Sequence, residues 1–79
     1  MTNRLYSIHD QLADKYSNLY ESPNEAVAIR MFLHSLKKGD IADARDYVLY
    51  QVGEFNDITG QVLSVEPKMI KRGEEPKNE

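Results

Sequence analysis

His9 and His34 are the only two histidines in a 79-residue chain that contains no cysteine. A zinc site needs three or four His, Cys or carboxylate ligands at close spacing. Each histidine therefore reads as a strand or helix-surface residue, and no metal or cofactor is expected. Ser7, Ser17, Ser22, Ser35 and Ser64 stand outside any G-x-S-x-G elbow, so none is set up as an activated nucleophile. Asp40, Asp43 and Asp46 recur at every third position but lack the central glycine and terminal glutamate of a calcium loop, which makes them a solvated acidic turn. Gly53, Gly60 and Gly73 are scattered, without the spacing of a phosphate-cradling loop. This inventory predicts a protein that is not an enzyme.

Aromatic residues with neighbouring cations offer a second kind of chemistry. Tyr6, Tyr47, Tyr50 and Phe55 lie in strand-like stretches, where aromatic rings can stack on unpaired bases. Lys37, Lys38 and Arg45 are close in sequence and could meet phosphates. The candidate nucleic-acid contacts are accordingly Lys37, Lys38, Arg45, Tyr47 and Tyr50. Charge argues the other way: the net value is −3, residues 1–40 balance five basic against five acidic groups, and residues 41–79 hold five against eight. Proteins that coat nucleic acid usually carry a basic stripe, because counterion release supplies most of that affinity.

The elements that must position these residues follow from periodicity. Residues 5–10, LYSIHD, read as a first strand with Leu5, Ser7 and His9 on one face and Tyr6 and Ile8 on the other. A long polar connection leads to a short second strand at residues 19–21. Residues 22–39 then carry start and stop signals for one helix. Ser22 and Glu25 form an S-x-x-E capping box around Pro23, while Lys37, Lys38 and Gly39 suit the C-terminal end. A helical wheel places Ala26, Ile29, Phe32, Leu33 and Leu36 on the core side, with Val27 and Met31 on a second, smaller apolar patch. Residues 40–46 read as a loop.

Residues 47–55, YVLYQVGEF, form the best strand, joined through NDITG to a partner strand at residues 61–65. Val48, Tyr50, Val52, Leu63 and Val65 are expected on the inner face, and Tyr47, Leu49, Gln51, Val62 and Ser64 on the outer one. Gly53 suggests a bulge or a close backbone approach. The expected domain is residues 1–66, followed by a charged, flexible tail over residues 67–79 in which Met69 and Ile70 could still dock. The fold class is α+β: a small, mostly antiparallel four-stranded sheet in ββαββ order with one helix packed on one face.

A domain of this size buries only ~60% of its unfolded surface. With 41% hydrophobic and 29% charged residues, no disulfide and no metal, it would gain from a second subunit. Leu5, Tyr47 and Leu49 on the expected outer sheet face, with Val27 and Met31 on the helix, are the candidate oligomer interface. The N-terminal MTNRLYSIHD lacks a continuous apolar run, and no stretch approaches the ~20 apolar residues that cross a bilayer, so no membrane partner is expected.

Three stretches, LYSIHD, NEAVAIRMF and DYVLYQVGEFNDITG, occur in the order in which they are found in the small non-structural protein of gokushoviruses, the Microviridae with circular single-stranded DNA. The chain resembles that family over about residues 5–65. The family pattern usually has tryptophan where this chain has Tyr50, and often a proline near Asn18. The resemblance implies a bacteriophage protein made in the host bacterial cytoplasm, absent from the virion shell and linked to genome replication or single-stranded DNA synthesis. It brings no catalytic residues. Two modes of action follow as expectations: single-stranded DNA binding, or a homo-oligomeric protein-interaction module that engages a host or viral protein without touching DNA.

Overall fold

The computed structural model describes residues 2–38 and 44–73. It is an α+β fold: an antiparallel sheet carries one helix on one face. The chain runs β1 (Thr2–Asp10), β2 (Lys15–Ser22), α1 (Glu25–Lys38), a short 3₁₀ turn (Ala44–Asp46), β3 (Tyr47–Asn56) and β4 (Val62–Arg72). Among the described residues the strands lie in the order β2-β1-β3-β4, so β2 and β4 are the edges.

Local side-chain chemistry shapes both hairpin turns. After β1, the Asp10 carboxylate accepts hydrogen bonds from the amides of Leu12 and Ala13, both at 3.1 Å, and Asp14 takes a left-handed φ of 56°. This tight turn replaces the expected long connection, and β2 starts at Lys15 rather than near Leu19. At the other hairpin, Asn56 Oδ1 accepts from Ile58 N at 2.9 Å and Thr59 N at 3.2 Å. Gly60 closes that turn at φ 77°, a conformation that suits a residue without Cβ.

The helix begins later than its capping box suggests. Asn24 is the N-cap: its Oδ1 accepts from Val27 N at 2.9 Å, and its carbonyl accepts from Ala28 N at 3.1 Å. Ser22 is still the last residue of β2, paired with Arg4, so it cannot also start the helix. Its buried hydroxyl instead donates to the Asn24 carbonyl at 2.9 Å. The buried stripe is Ala28, Phe32 and Leu36, with Ile29 and Leu33 half-buried beside it, whereas Ala26 is exposed. Ala28 takes the place expected for Ala26 because Tyr20 of β2 reaches under the helix and donates its hydroxyl to the Ala28 carbonyl at 3.0 Å. Gly39 to Asp43, including the expected helix cap and most of the expected loop, lie outside the described residues.

Cross-strand register assigns the sheet faces, because directly paired residues share a side. Tyr6 pairs with Tyr20 and Gln51, Ile8 with Leu49, and Asp10 with Tyr47. Tyr6, Ile8 and Leu49 form the core with the helix stripe and Ala44, and Tyr20, Tyr47 and Ile70 pack against it. The expected faces of β1 are therefore correct and those of β3 are reversed. Leu49 and Tyr47 lie beneath the helix, and Val48 and Tyr50 lie on the side away from it. The cause is that YVLYQV is apolar at both parities, so only pairing with β1 can choose between them.

β4 is the other correction. It continues through Arg72, past the expected strand end at 65 and through the proposed boundary between 66 and 67. Lys68 pairs with Gln51, Met69 with Tyr50, Lys71 with Leu49 and Arg72 with Val48, with two irregularities along the way. Pro67 is tolerated because β4 is an edge strand and the ladder is already irregular there. Gly73 then donates its amide to the Tyr47 carbonyl at 2.8 Å and is buried. Residues 74–79 lie outside the described residues. Gly53 makes the expected close approach, since a Cβ there would sit 2.7 Å from the Leu63 carbonyl oxygen.

Candidate interaction surface

The helix covers one side of the sheet, and on the other side the register sets out four rows of side chains. Phe55 links Asn3 and Val62 in the first row, and the second is Glu21, Leu5, Gly53 and Ser64. Ser7, Tyr50 and Met69 form the third, and Tyr16, His9, Val48 and Arg72 the fourth.

Three rings from three different strands gather where the last two rows meet. His9 and Tyr16 have ring centroids 4.5 Å apart, Tyr16 and Tyr50 5.6 Å, and His9 and Tyr50 6.0 Å. The two pairs that include Tyr50 are edge-to-face, an arrangement that aligns the positive ring edge with the negative ring face. His9 Nε2 lies 3.2 Å from Asp14 Oδ1, which ties the cluster to the strained residue of the first turn. Beside the rings an open groove of about 440 Å³ crosses the sheet, lined by Ser7, Tyr16, Ser17, Leu19, Val52 and Pro67. Ser7 is buried and donates its hydroxyl to the Ser17 carbonyl at 3.0 Å, so even this polar group is satisfied within the chain.

The surface is nearly uncharged. Among its register-paired residues, Glu21 and Arg72 carry charge, and both are engaged internally. Glu21 accepts from Asn3 Nδ2 at 2.8 Å. Arg72 donates to Gln11 Oε1 at 3.1 Å and to the Arg45 carbonyl at 2.9 Å. Apolar side chains project at the edges: Leu19 is 67% exposed, Met69 57% and Val62 62%.

The structure does not bring the five candidate nucleic-acid contacts together. Lys37 and Lys38 are exposed at the end of α1, and Arg45 is exposed in the 3₁₀ turn. Tyr47 packs half-buried against the core, while Tyr50 belongs to the ring cluster on the opposite face. The five candidate interface residues are also divided. Val27 is half-buried and Met31 exposed on the helix, Leu5 lies on the helix-free face, Tyr47 packs against the core and Leu49 is fully buried within it.

Leu19 was expected in a short second strand and Met69 as a docking residue, but neither they nor Tyr16 were expected on this face. Tyr16 and Leu19 sit in KYSNLY, whose strand character is obscured by Ser17 and Asn18, and Met69 follows a proline. Among the described residues no group of three or more His, Cys, Asp or Glu could hold a metal ion. No helix among them is long and apolar enough to cross a membrane.

Residues 3–75 match the family model described as Phage ORF5 protein. This chain belongs to the Phage ORF5 protein family. No curated protein matches it, and no solved structure does. The match takes in the helix, all four strands apart from Thr2, and the segment beyond Pro67.

Proposed function

We propose that this ORF5 family member is a non-enzymatic phage accessory protein that supports viral genome replication, at the stage of single-stranded DNA synthesis, by making protein–protein contacts. The replication role rests on the likeness of LYSIHD, NEAVAIRMF and DYVLYQVGEFNDITG to the gokushovirus non-structural protein, a setting that would place it in the host bacterial cytoplasm. The mode of action rests on one observation: the sheet face left open by the helix carries an apolar groove, and the two charged residues in the register rows around it, Glu21 and Arg72, are already hydrogen-bonded within the chain. A phosphate backbone is held by available cations, whereas an uncharged apolar surface gains by excluding water against another protein.

Recovering the tagged protein from infected cells after nuclease treatment tests this reading. Co-purification of a viral or host replication protein is expected to survive the nuclease. Partners that disappear with the nucleic acid would overturn it.

Direct binding of single-stranded DNA is the second reading, favoured by the 46% exposed Tyr16 beside Tyr50 on an antiparallel sheet. Fluorescence anisotropy with labelled single strands at low salt separates the two. A salt-sensitive rise that Tyr16→Ala abolishes would establish DNA as the ligand, and no rise at tens of micromolar protein is expected here.

A further inference from the structure

We propose that a second copy of this chain covers the helix-free sheet face, giving a two-fold, face-to-face dimer centred on the groove between Leu19 and Met69. This rests on the protein-contact reading above and assigns both its surface and its first partner.

The balance of apolar residues calls for an occupant. Tyr16, Leu19, Val62 and Met69 are large hydrophobic side chains exposed on this face, while among the described residues the buried hydrophobics are eight, two of them alanines. A domain this small cannot offset that exposure with a larger interior.

The dimensions suit a dimer. Strands of eight to eleven residues in four-strand order present a face of projected area ~600 Å², from ~4.8 Å between strands and ~3.3 Å per residue. Side-chain relief raises this toward the ~800 Å² per partner of a standard stable interface.

Charge and shape select a copy of the same chain. In a two-fold contact a patch meets its own image, so a face of one sign would repel itself. Among the register-paired residues of this face one acid, Glu21, balances one base, Arg72, each hydrogen-bonded within the chain, and Asp14 sits at its end beside His9. Leu19 and Met69 project from the two edge strands, and the groove lies between them over buried Ser7. A two-fold rotation about the groove sets it against its own image and brings the flanking Leu19 and Met69 side chains against those of the partner.

Sedimentation equilibrium of the full chain over a concentration series is the test. The wild-type protein is expected to dimerise, and Leu19→Glu and Met69→Glu are each expected to raise the dimer dissociation constant at least tenfold. Both sites are exposed, and circular dichroism should show unchanged secondary structure. Met31→Glu, on the helix, should leave the dimer intact.

Should either variant fail to fold, NMR of the wild-type chain gives the same answer: Tyr16, Leu19 and Met69 resonances should shift on dilution while Met31 stays fixed. A dimer lost with Met31→Glu but not with Leu19→Glu or Met69→Glu would overturn this assignment and leave the protein-contact reading standing. A wild-type chain that stays monomeric at hundreds of micromolar would overturn the dimer. If nuclease-resistant co-purification also failed, the protein-contact reading would fall with it.

Discussion

Arg72 at the end of β4 donates a 3.1 Å hydrogen bond to the Gln11 side chain in the first hairpin turn, joining residues 61 positions apart. Its register partner is Val48, and the same guanidinium donates to the Arg45 carbonyl at 2.9 Å. Because β3 lies between β4 and β1, the side chain passes over Val48, which is fully buried although it lies on the face without a helix. Long cationic side chains commonly bury their stems in this way while the head stays hydrogen-bonded. Arg72→Ala should cost ~1 kcal/mol through both losses, and Arg72→Met, which keeps most of the stem, should cost less. Urea denaturation of the three proteins measures the difference.

Gly73 should be the least replaceable glycine. An added Cβ would fall on the Ala44 carbonyl oxygen and within 2.9 Å of Leu36 Cδ1, and the oxygen belongs to backbone that cannot swing aside. Gly73→Ala is expected to destabilise by ~1–3 kcal/mol, as overpacking does in closed sites. A thermal melt of this variant checks the prediction, and an unchanged melting temperature would show that Gly73 is not packed against Ala44.

On the helix, burial predicts a steep contrast between adjacent positions. Phe32 is 1% exposed and Met31 46%. Phe32→Ala should cost ~3–5 kcal/mol by emptying the centre of the core, and Leu33→Ala should cost less because Leu33 is only half-buried. Met31→Ala should change stability by no more than ~0.5 kcal/mol, as expected for a surface site. Equal costs at Phe32 and Met31, read from denaturation midpoints, would contradict this placement of the helix.

Tyr20 gives the fold an alkaline limit. Burial, reinforced by the neighbouring Tyr6 phenol, pushes the Tyr20 hydroxyl up to about 12 from the ordinary value of 10.0. Its folded pKa thus exceeds its unfolded one, so its contribution to stability is complete below pH 10.0 and is lost as pH rises toward about 12. Of the five tyrosines, Tyr20 should titrate late in an ultraviolet absorbance titration. Tyr20→Phe should flatten the fall in stability above pH 10.0, while costing stability at neutral pH through the lost bond to Ala28.

What the sequence determined by itself was local. One helix ending near Lys38, a turn at NDITG, the faces of β1 and a close approach at Gly53 all follow from caps, turn residues and alternation within a few positions of each other. Even there the helix start lay two residues beyond the expected Ser22, because Ser22 pairs with Arg4 and Asn24 caps the helix.

Tertiary structure alone decided the rest. In YVLYQV both parities are apolar, so the side of β3 that meets the helix depends on which of its residues face Tyr6 and Ile8 of β1. The charged segment after Pro67 becomes a strand because β3 offers it an unpaired edge, an interaction that local composition does not encode. Tyr16, His9 and Tyr50 meet because three strands bring them into register, and the apolar face around them is visible only once the helix has taken the other side.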